Sequence, residues 1–193
     1  DDYKKFLQIR QCPVYRFKGT AAIVPDEYAA RLGVKLRKKK IATYIPHSSL
    51  YDYQRDISAM AIAKRKFAIF AECGYGKTLM FFEYARYVAQ HVGGKVLIVS
   101  PLMVCDQTCE EYVRWYGDDN PKIVQLAASE LQQWMNAKDG AQIGVVNFEA
   151  IREGLSIGKV KALIIDEASM LKSHYGAWGT RLIEMGRGLD WKL

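Results

Sequence analysis

Ala-Glu-Cys-Gly-Tyr-Gly-Lys-Thr, residues 71 to 78, lies between an apolar run at 67–70 and a longer amphipathic stretch. It fits the phosphate-loop template G-x-x-x-x-G-K-[ST], with alanine in place of the first glycine. Glycine at positions 74 and 76 lets the backbone turn its N–H groups inward around phosphate oxygens, at φ values that side chains disfavour. The stretch therefore predicts a nucleoside triphosphate site at a strand-to-helix turn.

The residues at the end of this loop each have an expected part in holding the triphosphate. The Lys77 ammonium is expected to reach the β and γ phosphates, and the Thr78 hydroxyl to hold Mg²⁺. The N-terminus of the following helix adds partial positive charge. The loop residues expected to contact the nucleotide are Gly74, Tyr75, Gly76, Lys77, Thr78 and Leu79.

A second apolar run, at 160–165, ends in two adjacent carboxylates, Asp166 and Glu167. Ligands of open α/β sheets gather at the carboxyl ends of strands, so Asp166 and loop 71–78 are expected to face one crevice. Asp166 is expected to bind Mg²⁺ directly or through water, and Glu167 to polarise the attacking water. Because simple nucleotide binding does not need Glu167, the pattern favours hydrolysis, with Lys77, Asp166 and Glu167 as the catalytic residues.

From residue 67 onward, short apolar runs alternate with longer periodic stretches, which is typical of a parallel sheet covered by helices. The predicted strands are 67–71, 95–100, 122–126, 142–147 and 162–166. The predicted helices are 51–66, 78–92, 104–116, 129–138 and 175–185. The expected fold class is therefore α/β, with a mostly parallel sheet sandwiched by helices.

The net charge of +7 is concentrated near the N-terminus. Residues 1–50 hold 11 Lys/Arg against 4 Asp/Glu, which leaves 17 of each in residues 51–193. Such a basic segment attracts phosphate backbone or an acidic partner without specifying either one. We expect residues 1–46 to form a small basic accessory element and residues 47–193 to form the nucleotide-binding lobe.

Local signals inside the accessory element are weaker. A Lys-Gly turn signal at 18–19 separates two β-prone segments, and residues 26–33 predict a short capped helix. The run of four cations at 37–40 favours a solvated turn, with nucleic-acid contact and a nuclear localisation signal as the alternatives.

The cysteines and the apolar runs bear on the class of protein. Cys12, Cys73, Cys105 and Cys109 form no C-x-x-C pair, so no zinc site is indicated and nothing suggests an oxidising compartment. No stretch approaches the roughly 18 apolar residues of a membrane span, and the N-terminus lacks the apolar region of a signal peptide. We expect a cytoplasmic protein without a membrane partner, nucleoid-associated or, if phage-encoded, in the host cytoplasm.

The order of these blocks resembles the first RecA-like lobe of superfamily 2 helicases and translocases. Leu-Tyr-Asp-Tyr-Gln-Arg at 50–55 is similar to the Q motif, loop 71–78 to motif I, and Asp-Glu-Ala-Ser at 166–169 to a DEAD/DEAH box with serine in the last place. The resemblance implies that the Gln54 amide pairs with the adenine edge, so the nucleotide is ATP. The chain is most similar to the Swi/Snf-type branch in bacterial and phage forms, many of whose members translocate on duplexes without unwinding them.

The same resemblance implies a nucleic-acid face, with DNA favoured over RNA. Residues 100–102 resemble motif Ia and residues 147–149 resemble motif Ib, each at the end of a predicted strand. The residues expected to contact nucleic acid are Pro101, Leu102, Asn147 and Glu149.

The last stretch, 187–193, looks like the approach to the strand that carries motif III, and the sequence stops before that motif. We therefore expect a fragment of a longer protein, whose second RecA-like lobe supplies arginines that complete the ATP site. The leading hypothesis is the ATPase lobe of a helicase or translocase, with little turnover alone. Two alternatives stay open: another P-loop NTPase such as a small-molecule kinase, and a noncatalytic nucleic-acid-binding module that works through the basic N-terminal segment.

Overall fold

The computed structural model describes residues 2–25, 28–34, 42–117, 121–152, 154–171 and 176–193. The chain divides into two compact units, Asp1–Ile41 and Ala42–Leu193. The division falls after residue 41, whereas the sequence places it after residue 46. Within the second unit, the Tyr87 hydroxyl donates to the Ala42 carbonyl and Arg86 Nη2 donates to the Ile45 carbonyl, both at 2.9 Å.

The first unit contains a helix and a hairpin. Helix α1 (Asp2–Arg10) is absent from the sequence prediction because it has no buried face, and so no apolar periodicity marks it. Strands β1 (Arg16–Lys18) and β2 (Ala21–Ile23) pair antiparallel around the predicted turn, where Gly19 has a φ of +59°. The helix predicted at 26–33 lies partly, and the cationic run at 37–40 wholly, outside the described residues.

In the second unit, helices and strands alternate along the chain. The elements are α2 (Asp52–Lys64), α3 (Lys77–His91), β3 (Lys95–Ser100), α4 (Cys105–Tyr116), β4 (Ile123–Gln125), α5 (Leu131–Asn136), β5 (Ile143–Asn147), β6 (Val160–Ile165), α6 (Ala177–Gly186) and β7 (Trp191–Lys192). Single 3₁₀ turns follow three of the strands, at Leu102–Val104, Phe148–Ala150 and Ala168–Met170. No helix of the described part is long and apolar enough to cross a membrane.

The five described strands of this unit form one parallel sheet in the order β4-β5-β3-β6-β7. The predicted α/β fold with a parallel sheet is confirmed. The helices predicted at 51–66, 78–92, 104–116 and 129–138 are present, with ends that differ by a few residues. In the described part, the helix predicted at 175–185 begins at Ala177.

The strand predicted at 67–71 does not form. Lys66 makes a single parallel bridge to Lys192, and the Phe67 N–H donates to the Lys192 carbonyl at 3.0 Å. Beyond that bond, residues 68–71 have no ladder partner among the described residues, and Phe70 is 96 % exposed. An apolar run becomes a strand when a neighbouring strand pairs with its backbone N–H and C=O groups. The sequence of the run does not show whether such a neighbour is present.

Apolar side chains cover both faces of the sheet. Alternate residues of β3 point to opposite layers, with Val96 and Ile98 packed among α2, α3 and α4, and with Leu97 and Val99 packed among α5 and α6. Every residue of β3 is buried. This is the environment of a central parallel strand with helices on both sides.

A buried carboxylate on α3 links this helix to α4 and to the segment that precedes α2. Glu83 is fully buried and accepts hydrogen bonds from the Tyr116 hydroxyl at 2.9 Å, the His47 N–H at 3.1 Å, Arg86 Nε at 3.1 Å and the Tyr44 hydroxyl. Burial raises the pKa of both tyrosines, and the Glu83 carboxylate raises it further. Both phenols therefore remain protonated donors to one carboxylate.

Replacing Glu83 with alanine should destabilise the lobe, because the Arg86 cation and the phenol donors lose their shared acceptor. Removing one partner of a buried ion pair costs about 3–5 kcal/mol. We expect the free energy of unfolding, measured by urea denaturation, to fall by about 3 kcal/mol or more. Glu110→Ala, at an exposed carboxylate on α4, should change it by less than about 0.5 kcal/mol. Equal losses in the two variants would show that the network adds no stability.

Candidate active site

Loop 71–76 leads directly into α3, which begins at Lys77. Gly74 and Gly76 have φ values of +88° and +67°, in the left-handed region that side chains disfavour. Gly76 is the residue immediately before the helix, so the unpaired N–H groups of the first turn of α3 open toward the loop. The glycines of the template are therefore required by the conformation of the loop.

Gln54 lies directly against this loop. Its Nε2 donates to the Tyr75 carbonyl at 3.3 Å, and its Oε1 accepts the Tyr51 N–H at 3.0 Å. The residue is 2 % exposed. A Cβ on Gly76 would lie 2.3 Å from Gln54 Nε2, so the amide and the loop backbone are in contact only because residue 76 has no side chain.

The other loop residues present different groups. The Lys77 ammonium donates to the carbonyls of Ala71 at 2.8 Å and Glu72 at 3.4 Å. Tyr75 is 51 % exposed, and Thr78 is partly buried in the first turn of α3. The side chain of Leu79 packs against the apolar cluster on the α3 face of the sheet, so its backbone is the part left for a nucleotide.

Asp166 follows β6, and Ser100 is the last residue of the neighbouring strand β3. Ser100 Oγ donates to Asp166 Oδ2 at 2.8 Å, and Ser100 is fully buried. Burial raises the pKa of the Asp166 carboxyl above its usual range, while the Ser100 hydrogen bond and the Lys77 charge oppose that rise. That Lys77 and Asp166 face one crevice stays a prediction.

Glu167 adopts an unusual backbone conformation. It has φ 55° and ψ 57°, and with Arg65 it is one of two non-glycine residues of positive φ in the described part. Its side chain is exposed, and Oε1 accepts a hydrogen bond from the Ser169 hydroxyl at 2.5 Å. Such backbone strain concentrates at functional sites.

Three of the four residues predicted to contact nucleic acid line one cavity of about 350 Å³ at the carboxyl ends of β4 and β5. They are Leu102, Asn147 and Glu149; Pro101 does not line it. Asn147 Oδ1 accepts the Ala150 N–H at 2.9 Å, so the side-chain oxygen caps the 3₁₀ turn that follows β5. We call this cavity the strand-end pocket.

Cys105, the first residue of α4, is one of the residues that line the strand-end pocket. Its thiol is buried, and burial raises its pKa to about 11, with further contributions from the charges of Asp106, Asp166 and Glu149. The thiol is therefore protonated at neutral pH.

A family model described as DEAD/DEAH box helicase matches residues 51–190, which is more than half of the chain. The chain belongs to the DEAD/DEAH box helicase family. The match includes Gln54, the loop and both carboxylates of this helicase lobe. No curated protein matches its sequence.

Solved structures show the fold of the helicase lobe. The crystal structure of the UvsW helicase from bacteriophage T4 superimposes with a TM-score of 0.61 at 15 % identity, over 86 % of this chain and 66 % of that one. A second structure of T4 UvsW gives 0.62 at 16 % identity, over 86 % of this chain and 38 % of that one. Together with the family match, this fold confirms the predicted RecA-like lobe of a superfamily 2 helicase. The chain spans less than two thirds of the length of either match.

Two serines of the helicase lobe, which the sequence analysis does not single out, form hydrogen bonds to the two predicted catalytic carboxylates. Ser100 binds Asp166, and Ser169 binds Glu167. Ser100 could have been found, because polar residues at the ends of adjacent parallel strands meet at one edge of a sheet. The bond from Ser169 depends on the left-handed turn at Glu167, for which the sequence has no signal.

The contact between Gln54 and Gly76 predicts a specific coupling in stability. Gly76→Ala should displace the Gln54 side chain and break its two hydrogen bonds, each worth about 0.5–1.5 kcal/mol. Gln54→Ala should therefore cost much less in the Gly76→Ala background than in the wild type, as measured by a double-mutant cycle of unfolding free energies.

Gly74→Ala is the matched control for this cycle. Residue 74 also has a positive φ, but a Cβ there would meet nothing within 4 Å. It should carry the strain of the left-handed conformation, about 1–2 kcal/mol, and show no coupling with Gln54→Ala. Additive effects of Gly76→Ala and Gln54→Ala would contradict the contact.

Proposed function

We propose that this chain is the ATP-binding and ATP-hydrolysing motor lobe of a nucleic-acid-dependent ATPase, a helicase or a double-strand translocase. The observation that carries the proposal is a glycine loop that ends at the N-terminus of α3, combined with Asp166 at the carboxyl end of β6, where Ser100 at the end of β3 binds it. Membership of a helicase family supports a nucleotide-dependent motor. The fold shared with UvsW, itself a helicase, supports the same assignment.

The residues present fit a nucleoside triphosphate with Mg²⁺. The backbone around Gly74 is open, since a Cβ there would meet nothing within 4 Å. The N-terminus of α3 and the Lys77 ammonium provide positive charge for phosphates. Thr78 and Asp166 provide a hydroxyl and a carboxylate, the oxygen donors that Mg²⁺ prefers, and we assign the metal to them.

Each residue then has a defined part. Lys77 exchanges the carbonyls of its own loop for the β and γ phosphate oxygens, and Glu167 orients the attacking water and accepts its proton. Bound Mg²⁺ supplies neutralisation of the charge that develops on the phosphates. Ser100 holds one oxygen of Asp166 and so restricts the rotation of the carboxylate.

Gln54 is suited to select adenine. Its Nε2 carries two N–H groups and its Oε1 two lone pairs, and the contacts with Tyr75 and Tyr51 use one of each. One donor and one acceptor are left, which is the complement of the adenine N7 and N6 edge. Because Gln54 is 2 % exposed, base contact requires the side chains that cover it to move.

The proposed partners are nucleic acid, with DNA favoured over RNA, and a second RecA-like lobe of the same protein. Pro101, Leu102, Asn147 and Glu149 are the proposed nucleic-acid contacts, and their grouping around the strand-end pocket supports three of them. The second lobe would complete the ATP site with arginines, so the lobe alone should hydrolyse ATP slowly.

Two substitutions test the assignment of the nucleotide site. Lys77→Ala should weaken binding of a fluorescent ATP analogue with Mg²⁺ by at least about tenfold, because a charge-assisted contact to the phosphates is lost. Glu167→Gln should bind the analogue like the wild type and lose single-turnover ATP hydrolysis. Lys138→Ala, at an exposed lysine, is the charge-matched control. Equal hydrolysis by the wild type and Glu167→Gln would refute the role of that carboxylate.

The Ser100 hydrogen bond predicts an effect on Mg²⁺ dependence. Ser100→Ala frees the Asp166 carboxylate to rotate, so the Mg²⁺ concentration needed for half-maximal analogue binding should rise about tenfold, the scale of one hydrogen bond to a charged group. Ser58→Ala, at another fully buried serine, should leave that concentration unchanged. A shift of equal size in both variants would mean that loss of a buried hydroxyl, and not the position of Asp166, is responsible.

A further inference from the structure

Three arginines surround a cavity of about 240 Å³ on the α6 side of the sheet. Arg152 lies in the segment after β5, Arg181 on α6, and Arg187 just after α6. We call the three the arginine cluster. Arg152 lies 29 positions before Arg181 in the sequence, and the packing of α6 beside residues 154–157 brings it to the other two.

Among the residues that the structure describes around this cavity, arginines outnumber carboxylates. Glu184 is the one carboxylate among the described lining residues, so three arginines against one glutamate give a formal charge of +2. Arg152 and Arg187 are exposed, and neither side chain makes a hydrogen bond or an ion pair to another residue that the structure describes. Arg181 donates to the Ile151 carbonyl at 3.2 Å, which fixes one guanidinium at the edge of the cavity.

The arginine cluster is continuous with the proposed nucleic-acid face. Arg152 lines both this cavity and the strand-end pocket, where it joins Leu102, Asn147 and Glu149. A polyanion lying across the strand ends would therefore reach the arginine cluster without crossing another surface. Arg152 therefore connects the strand-end pocket to the arginine cluster.

We propose that the arginine cluster binds the phosphate backbone of nucleic acid and extends the contact surface from the strand-end pocket along the α6 side of the lobe. Guanidinium groups match phosphate oxygens in geometry and stay charged at any physiological pH. The apolar side chains of Leu155 and Met185 in the same cavity can contact the sugar. The lining side chains offer arginine forks and apolar groups, so the contact positions the strand without reading its sequence.

This inference rests on the proposed nucleic-acid-dependent function, and the salt dependence of binding tests both. Affinity of the full 193-residue chain for a fluorescent DNA duplex would be measured from low to moderate salt. Each phosphate contact contributes about 0.9 to the slope of log affinity against log salt concentration. The double variant Arg152→Gln/Arg187→Gln should lower the magnitude of that slope by about 2 and the low-salt affinity by about tenfold or more.

Matched variants separate a phosphate contact from a general loss of charge or of structure. Arg114→Gln removes an exposed arginine from α4, on the opposite layer of the sheet, and should leave the slope unchanged. Arg152→Lys/Arg187→Lys keeps the cations and should keep the slope. Glu184→Gln removes the carboxylate from the cavity and should strengthen binding several-fold, which a folding defect could not produce.

The outcomes distinguish the two proposals. A wild-type chain that binds no duplex or single strand in low salt would refute nucleic-acid binding by the lobe itself. If the wild type binds and Arg152→Gln/Arg187→Gln has an unchanged slope, the arginine cluster makes no phosphate contact, while nucleic-acid binding by the lobe still stands. The role of the arginine cluster would also be overturned if Glu184→Gln left the affinity unchanged and if Arg152→Gln/Arg187→Gln lowered the slope no more than Arg114→Gln does.

Discussion

The parallel register between β3 and β6 fixes the position of the candidate active site. Val99 lies opposite Ile165, so the residues that follow them, Ser100 and Asp166, leave the sheet side by side and form a hydrogen bond of 2.8 Å. A slip of one residue would separate this pair and move every buried side chain of β6 to the other layer. The same register therefore buries the apolar side chains of the sheet and places the Asp166 carboxylate. The stability of the core maintains both.

The phosphate loop needs a second constraint, because no strand ladder holds the segment before it. Gln54 supplies one contact by binding the Tyr75 carbonyl over Gly76, and it does so from α2. The start of α2 is itself placed by the preceding segment, which Glu83 on α3 holds through a buried carboxylate. Helix α3 therefore contributes to the site twice, by its N-terminus at the loop and by Glu83, six residues after its first residue, Lys77.

Sequence patterns predict those parts of this fold that depend on local periodicity. The sequence predicts the strand at 95–100 to the residue because its four inner residues are apolar, as in a central strand, whereas the run at 67–71 is also apolar but lacks a neighbouring strand. The placement of Glu83 against Tyr44 joins residues 39 positions apart, and no local pattern carries such a contact. No local pattern predicts the left-handed turn at Glu167 either.

The distribution of charge on the surface is another feature that the sequence does not show, and it matters for function. Residues 51–193 hold 17 cations and 17 anions, which directs attention to the basic N-terminal segment. Equal totals do not make an even surface, because Glu83 is buried against Arg86 while Arg152 and Arg187 stay exposed beside one cavity. A neutral lobe can therefore carry a cationic surface where the chain buries its carboxylates elsewhere. Since screening limits exposed charges to a range of about 10 Å, local arrangement and not net charge decides where a polyanion binds.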